Sequence, residues 1–207
     1  MPLTLLDHPI AQHKLGILRS SETTPEQFRS LMSELGLMLF VESTKNLGTR
    51  PATVNAPFGE AEVRLAAEKI ALIPILRTGL GMIEGIQNYW PDASVGHIGI
   101  YRDKFLNNTV EYYFKTPKNL SESITYIFDP IIATGDTAIA SIERLKESGA
   151  KRIRFVSILA SQEGIKAIED NYPDVEIFTL SDIDVVTEQG YVAPGIGDVG
   201  SRYYNTQ

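Results

Sequence analysis

The chain has 207 residues, enough for one large α/β domain that buries its own core without disulfides or a structural metal. The 26 acidic and 19 basic residues leave a formal net charge of −7, which argues against a nucleic-acid binder that neutralises phosphates. With 43% hydrophobic and 22% charged residues the chain is not disordered, and the absence of cysteine excludes thiolate nucleophiles, disulfides and cysteine-based metal sites.

The N-terminus does not have the pattern of a signal peptide. It lacks a basic start, and Asp7 interrupts its only apolar stretch. The longest strongly apolar run, Ile70–Leu76, is too short to span a membrane. The sequence therefore predicts a cytoplasmic protein that has no membrane partner.

The first predicted element is a helix that begins at a capping box. Thr24 serves as the N-cap, Pro25 occupies the first helical position, and Gln27 completes the box. Apolar residues then recur at helical spacing, at Phe28, Leu31, Met32, Leu35 and Leu39. The pattern is typical of a helix that packs on a core.

A different pattern begins at residue 70. The continuous apolar run Ile70–Leu76 indicates a strand buried on both faces, and Pro74 within it indicates either a sheet edge or the end of the strand. A glycine-containing turn over Arg77–Gly81 and a helix over Met82–Tyr89 follow. The next predicted strand covers Ser94–Tyr101.

Strands and helices alternate through the rest of the chain. The predicted elements are a strand over Ile124–Phe128, a helix over Thr137–Ser148, a strand over Ile153–Ala160, a helix over Gln162–Tyr172 and a strand over Val175–Leu180. This alternation predicts one α/β domain over residues 1–207, with a mostly parallel sheet flanked by helices. Open sheets of this kind bind ligands beyond the carboxyl ends of their strands.

Small and hydroxylated residues follow the strand that ends at Phe128. In the segment Asp129–Thr137, Thr134 and Thr137 offer hydroxyl donors and Gly135 lets a phosphate approach the backbone, at the positive end of the next helix. Asp129, at the strand tip, suits sugar hydroxyls or the shell of a metal. The pattern lacks the ending of a Walker A loop, and an ordinary strand–turn–helix junction stays open as an alternative.

Two further segments follow strands. After Leu76, Arg77 is either an anion contact or half of a surface salt bridge. Glu84 stands where a dinucleotide-binding fingerprint needs its third glycine, so the sequence does not predict a Rossmann cofactor site. Beyond Tyr101, the pair Asn107–Asn108 lies among alternating apolar residues and predicts a hairpin arm. This arm is either a mobile cover over a site or an ordinary excursion.

The segment Gly190–Gly200 contains four glycines and a proline. Exposed backbone of this kind can hydrogen-bond a flat, amide-like base, whose face Tyr191 or Val192 would cover; the alternative is a floppy tail. The histidines have no zinc-binding or catalytic-triad spacing, and the carboxylates are not paired as in a glycosidase.

Five segments, in order and at family spacing, resemble those of the uracil phosphoribosyltransferase family. They are His8–Arg19, Ile73–Met82, Tyr101–Asp103, Asp129–Thr137 and Tyr191–Gly200. The resemblance covers nearly the whole chain. It implies the type I phosphoribosyltransferase fold, with a flexible β-arm and a C-terminal base-binding loop. The implied reaction transfers phosphoribosyl from phosphoribosyl pyrophosphate (PRPP) to uracil, giving UMP and diphosphate.

The resemblance also implies the roles of individual residues. The expected PRPP-binding residues are Arg77, Arg102, Asp129, Pro130, Ile131, Ile132, Ala133, Thr134, Gly135, Asp136, Thr137 and Asp198. Arg77 and Arg102 would hold the pyrophosphate end and, with Asp198, are the expected catalytic residues. The run Ala133–Thr137 would hold the 5′-phosphate, and Asp129 would lie near the ribose hydroxyls.

The uracil-binding residues implied in the same way are Tyr191, Val192, Gly197, Asp198 and Val199. They would recognise the base largely through backbone groups. The resemblance implies no protein metal site, so Mg²⁺ would arrive with PRPP. It further implies a homodimer or higher homo-oligomer. GTP activates some members of the family and is therefore a candidate activator.

Several positions depart from the family pattern. Thr78 replaces a usual alanine, and the pair Asp136–Thr137 replaces a usual glycine and serine. Asp136 would set a carboxylate beside the phosphate unless its side chain points away. Ser201 and Asn205 replace a usual aspartate and glycine, which affects details of the uracil end.

Three alternatives stay open. The first is a phosphoribosyltransferase for another base, such as orotate or a purine, which the segment 191–200 disfavours. The second is an RNA-binding regulator that senses uridine nucleotides, which the charge of −7 disfavours. The third is a regulatory subunit with a dead site, which the presence of Arg77, Arg102 and Asp129 disfavours.

Overall fold

A computed structural model describes residues 3–103, 108–188 and 190–206. Its strands and helices alternate through most of the chain, with one short 3₁₀ turn at Leu120–Glu122. The first half contains β1 (Leu3–Leu5), α1 (Pro9–Arg19), α2 (Pro25–Ser43), β2 (Thr49–Ala56), β3 (Gly59–Ala66), β4 (Lys69–Pro74), α3 (Leu80–Tyr89), β5 (Ser94–Val95) and β6 (His97–Asp103). The second half contains β7 (Asn108–Lys115), β8 (Ser123–Phe128), β9 (Ile131–Ile132), α4 (Asp136–Glu147), β10 (Arg152–Val156), β11 (Leu159–Ser161), α5 (Gln162–Asn171), β12 (Glu176–Thr179), β13 (Ser181–Val186), β14 (Val192–Ala193) and α6 (Val199–Tyr204).

The main sheet has six strands in the order β1-β12-β10-β8-β4-β5, and every neighbouring pair is parallel. Both of its faces are buried. In β4, Ile70 and Leu72 belong to the core shared with α1, α2 and α3, whereas Ala71 and Ile73 belong to the core shared with α4 and α5. The predicted fold class, a mostly parallel sheet flanked by helices, is therefore confirmed.

Local signals located several elements correctly. The capping box at Thr24 and Gln27 is formed at the start of α2, with Pro25 at its first position. Pro74 is the last residue of β4, so the second of the two meanings given to it, a strand end, is correct. The helices after Gly79, Gly135 and Ser161 begin within two residues of their predicted positions.

Two predicted strands are wrong as single elements. The run Ile153–Ala160 is split at Ser157. The Ser157 N–H donates to the carbonyl oxygen of Phe178 at 2.9 Å, whereas the Leu159 N–H donates to the carbonyl oxygen of Pro130 at 3.0 Å. The second part of the run, β11, belongs to a second sheet, which has four strands in the order β14-β13-β11-β9. The run Ser94–Tyr101 likewise divides at Gly96: β5 joins the main sheet and β6 leaves it.

Two antiparallel hairpins project from this frame. The predicted arm is present as β6 and β7, although its residues 104–107 lie outside the described part of the chain. The second hairpin, β2 and β3, has no counterpart in the sequence-based prediction, although Ala61, Val63 and Leu65 alternate with charged residues along β3. Within the described ranges no helix is both long enough and apolar enough to cross a membrane.

The packing of α2 on α3 generates a stability prediction. A Cβ at Gly36 of α2 would lie 2.2 Å from the carbonyl oxygen of Met82, so Gly36→Ala must push the helices apart. We expect it to lower the free energy of unfolding by about 1–3 kcal/mol. Gly16→Ala is the matched control, because a Cβ there meets nothing within 4 Å in the exposed face of α1.

The control should raise the free energy of unfolding by about 0.5–1 kcal/mol, because alanine restricts the unfolded chain and favours helix. Denaturant titration followed by circular dichroism measures both values. Equal effects of the two substitutions would contradict the close packing of α2 on α3.

Candidate functional site

The first part of the site is the loop between β4 and α3, residues 75–79, here called the Arg77 loop. The Ile75 N–H donates to the carbonyl oxygen of Phe128 at 2.9 Å, and a Cβ on Gly79 would lie 2.3 Å from that same oxygen. Only glycine permits this approach of two backbones. The Arg77 loop is therefore packed against the end of β8, where the next loop begins.

Arg77 is exposed, and among the described residues no carboxylate pairs with it. Its guanidinium carbon lies 4.9 Å from the centre of the Tyr204 ring. Its Nη2 lies 4.0 Å from the position that a Cβ on Gly200 would occupy. The described part of the chain thus gives Arg77 an aromatic neighbour in place of the alternative salt bridge, and its positive charge stays available to an anion.

The second part is the Asp129 loop, residues 129–135, which follows β8. Asp129 is partly buried, and its N–H donates to the carbonyl oxygen of Val156 at 3.2 Å. Burial raises the pKa of Asp129 from 3.8 to about 7, although a hydrogen bond from the Ile131 backbone opposes the shift. Near neutral pH this carboxyl can therefore either accept hydrogen bonds from sugar hydroxyls or donate one.

The remainder of this loop is more ordered than the predicted turn. Ile131–Ile132 forms β9 beside β11, and the carbonyl of Pro130 accepts the N–H groups of Ile158 and Leu159 at 3.1 and 3.0 Å. The Ser161 hydroxyl donates to the Ala133 carbonyl at 2.6 Å. These bonds fix the backbone of the predicted phosphate segment before any ligand binds.

Helix α4 begins at Asp136, immediately after Gly135, whose φ of 88° lies in the left-handed region. The first N–H groups of this 12-residue helix have no partner within the helix and form its positive end. The Thr134 hydroxyl donates to Oδ2 of Asp136 at 2.8 Å. In this chain the Asp136 carboxylate would therefore compete with the predicted phosphate for the Thr134 hydroxyl.

The third part is residues 190–200, here called the Tyr191 loop. Its first residues pair with β13 through β14, and the Thr187 N–H donates to the Tyr191 carbonyl at 2.7 Å. Tyr191 is exposed and Val192 is partly buried. The alternative of a floppy tail is therefore wrong for this segment.

A cavity of about 270 Å³ joins the second and third parts of the site. Its lining brings together predicted PRPP-binding and uracil-binding residues: Ile131, Ala133, Tyr191, Val192, Gly197, Asp198 and Val199. Gly190 and Pro194, which were not predicted as site residues, complete it. Arg77, Asp129 and the run Thr134–Thr137 do not line it. Arg77 approaches the same region from Gly200, where a Cβ would also lie 3.5 Å from Oδ1 of Asp198.

Two anchors of the Tyr191 loop were not predicted from the sequence. The first is Asp184, whose two carboxylate oxygens each accept a hydrogen bond from Arg19 at 2.7 Å. Oδ1 also accepts the Gly195 N–H at 2.9 Å, and the Gly195 carbonyl accepts from Arg19 at 2.9 Å. Burial acts to raise the pKa of Asp184, but the hydrogen bonds from Arg19, Gly195 and Ser181 outweigh it and lower that pKa.

The apolar pattern of β13 does not predict the buried carboxylate of Asp184. Ile183 and Val185 are exposed in β13, whereas Asp184 between them is buried, the reverse of the expected apolar alternation. The second anchor is Arg202, which donates to the carbonyls of Leu18 and Ile196 at 2.8 and 2.7 Å. Both anchors tie the loop to the C-terminal end of α1.

The structure accommodates Ser201 and Asn205, the two residues that depart from the family pattern near the C-terminal helix. Asp198 is the N-cap of α6 and accepts the backbone N–H of Ser201 at 2.6 Å, a bond that does not depend on the side chain at 201. Asn205 ends α6 with φ 54° and ψ 50°. Asparagine adopts this left-handed conformation more readily than most residues other than glycine.

Arg102 lies in β6, where its backbone pairs with Thr109. Its side chain is outside the described part of the structure, so its predicted contact with pyrophosphate stays a prediction.

Comparisons with known proteins agree along the whole chain. A family model described as "Uracil phosphoribosyltransferase" matches residues 5–206. The uracil phosphoribosyltransferase of Symbiobacterium thermophilum is 41% identical over 206 residues, covering 99% of both chains. That of Fervidobacterium nodosum is 45% identical over 206 residues, covering 99% of this chain and 100% of its own.

A solved structure, that of the AQ2163 protein from Aquifex aeolicus, superposes with a TM-score of 0.94 at 32% identity. The superposition covers 100% of this chain and 99% of the other. The resemblance drawn from five sequence segments is thus confirmed, together with the fold that it implies.

The raised pKa of Asp129 generates a prediction about stability and pH. The unfolded chain ionises Asp129 near 3.8 and the folded chain near 7, so the folded state holds the extra proton between these values. The free energy of unfolding therefore falls as the pH rises through this window. Asp129→Asn does not titrate there, and its melting temperature should exceed that of the native protein by an amount that grows from pH 5 to pH 8.

Thermal melts at one-unit intervals of pH measure this difference. An advantage of Asp129→Asn that stays constant or shrinks as the pH rises would mean that the carboxyl is ionised throughout.

Proposed function

The chain belongs to the uracil phosphoribosyltransferase family, and we propose that the Arg77, Asp129 and Tyr191 loops form its active site. There, phosphoribosyl passes from PRPP to uracil, giving UMP and diphosphate. The observation that carries this assignment is the 270 Å³ cavity, in which Ile131 and Ala133 of the Asp129 loop meet Tyr191–Val199. A sugar phosphate held by one loop and a base held by the other would meet across it.

The chemistry needs charge stabilisation and alignment, and no protein nucleophile. As the bond from C1′ to pyrophosphate breaks, positive charge grows on the ribose and negative charge on the leaving group. Arg77 and Arg102 supply the matching positive charge. The backbone of Ala133–Thr137 and the start of α4 hold the 5′-phosphate, and Asp129 accepts from the ribose hydroxyls.

Uracil is held by the Tyr191 loop on the opposite face of the ribose. Backbone groups of Val192 and Gly197–Val199 match the amide edges of the base, and the Tyr191 ring covers its face. Asp198 stands between the base and the PRPP side. Because Arg19 and Arg202 already fix this loop through carbonyl contacts, little ordering is left for the base to impose.

We propose that Mg²⁺ arrives bound to PRPP. Among the described residues no group of three or more His, Asp or Glu side chains is placed to hold a metal. Mg²⁺ commonly keeps several waters and takes only one or two carboxylates besides phosphate oxygens. Asp129, at the end of β8, could supply one such carboxylate. When bound, the ion neutralises charge on the pyrophosphate oxygens.

Other finer features are proposals of the same kind. GTP activation, a cytoplasmic location and a single domain over residues 1–207 follow from the family resemblance or from the composition. Assay of UMP formation with and without GTP decides the first of these.

We propose that the chain forms a homo-oligomer through the β2–β3 hairpin. Its strands pair from Thr49 with Ala66 to Ala56 with Gly59, yet most of their side chains are exposed, and Phe58 at the tip is fully exposed. An isolated two-stranded hairpin is only marginally stable in water, so a covering partner is needed. A second copy of the chain meets that need.

Light scattering after gel filtration tests this proposal. The native protein should have at least twice the mass of the 22.9 kDa chain, and replacing residues 51–64 by a short Gly-Ser turn should reduce it to that of one chain. A native monomer would contradict the proposal.

Purified protein should convert uracil to UMP in the presence of PRPP, with orotate, hypoxanthine and adenine as competing bases in parallel reactions. Preference for another base would replace uracil in the assignment. Salt-sensitive RNA binding in a filter assay, without turnover, would favour the regulator alternative.

Arg102→Ala should reduce kcat/KM for PRPP more than tenfold, because the pyrophosphate leaving group loses a positively charged contact. Arg152→Ala is the control, since Arg152 lies at the amino-terminal end of β10, away from the carboxyl ends of the strands that carry the site, and pairs with Glu68. Unchanged kinetics in Arg102→Ala, with an unchanged melting temperature, would remove Arg102 from the site.

A further inference from the structure

The C-terminal helix α6 contacts Arg77 at two separate points. The Tyr204 hydroxyl donates to the Arg77 carbonyl oxygen at 2.9 Å, and the Tyr204 ring lies 4.9 Å from the Arg77 guanidinium carbon. One contact holds the backbone of the arginine, and the other holds its side chain. A single tyrosine therefore restrains both ends of this residue.

Helix α6 is itself held firmly, so the contact is not that of a fraying chain end. Asp198 caps its start, and Arg202 donates to the carbonyl oxygens of Leu18, Ile196 and Ser20 at 2.5–2.8 Å. The Tyr203 ring packs on α3, where a Cβ at Gly81 would lie 2.3 Å from it. Tyr204 is thus presented to Arg77 from a fixed position.

The kind of partner matters for an arginine that must bind an anion. A carboxylate beside Arg77 would hold it in place but would also neutralise it and compete with the substrate. An aromatic ring attracts the cation through its π electrons and keeps the charge. Burial raises the pKa of Tyr204, so the hydroxyl stays protonated and remains a donor near neutral pH.

We propose that Tyr204 is a positioning residue for Arg77, an uncharged partner that orients the guanidinium toward the pyrophosphate end of PRPP. The inference rests on the proposed role of Arg77. It also gives α6 a second role, because the helix is capped by Asp198 of the Tyr191 loop and ends against the Arg77 loop.

Two substitutions separate the two contacts. Tyr204→Phe removes only the hydrogen bond, and Tyr204→Leu removes the ring as well. We expect KM for PRPP to rise about fivefold in Tyr204→Phe and more than tenfold in Tyr204→Leu, as for the loss of one hydrogen bond and then of a cation–π contact. KM for pyrophosphate in the reverse reaction should rise in parallel, whereas KM for uracil should stay within about twofold.

Tyr203→Phe is the matched control. It deletes the same atom from the neighbouring ring, and among the described residues the Tyr203 hydroxyl has no hydrogen-bond partner. Its kinetic constants should equal those of the native protein. Melting temperatures of all variants report folding, and Tyr204→Phe, which keeps the ring, decides the question if Tyr204→Leu does not fold.

Arg77→Ala separates this inference from the proposed function. If Arg77→Ala leaves KM for PRPP unchanged, the role of Arg77 fails and the inference fails with it. If Arg77→Ala raises that KM but both Tyr204 variants match the native protein, only the inference is overturned. Equal increases of KM for uracil and PRPP would make Tyr204 a purely structural residue, and would also overturn it.

Discussion

The site depends on one close approach of two backbones. Gly79 lies so near the carbonyl oxygen of Phe128 that a Cβ would come within 2.3 Å of it. This contact joins the Arg77 loop, after β4, to the Asp129 loop, after the adjacent strand β8. A parallel sheet brings these strand ends to one edge, but glycine at 79 sets how closely the two proposed anion-binding segments stand.

The Tyr191 loop is held in place by a buried ion pair, that of Asp184 with Arg19. Asp184 is fully buried, and burying a carboxylate is costly unless strong hydrogen bonds compensate. Arg19 satisfies both of its oxygens, and the same guanidinium reaches the Gly195 carbonyl. The pair therefore couples the end of α1 to the Tyr191 loop, and losing one member alone would leave the other's charge in place without its partner.

Prediction from sequence succeeded where a local pattern determines the structure. The capping box at Thr24, the strand end at Pro74 and the loops that follow β4 and β8 all depend on neighbouring residues. It failed at Ser157, because the apolar run continues into β11 and hydrophobicity does not specify which sheet a buried strand joins. Contacts between distant residues were also beyond it: 165 positions separate Arg19 from Asp184, and 127 separate Tyr204 from Arg77.

The net charge of −7 is compatible with a polyanionic substrate because of how the cations are partnered. Surface cations such as Lys69, Lys146 and Arg144 pair with carboxylates, so they contribute little to the field beyond their neighbourhood. Arg77 is partnered by a ring and a carbonyl-bound hydroxyl, which orient it and leave its charge intact. The electrostatic potential at the site depends on nearby charges that no carboxylate among the described residues neutralises, such as that of Arg77, and on the positive end of α4. The net charge of the whole chain does not determine it.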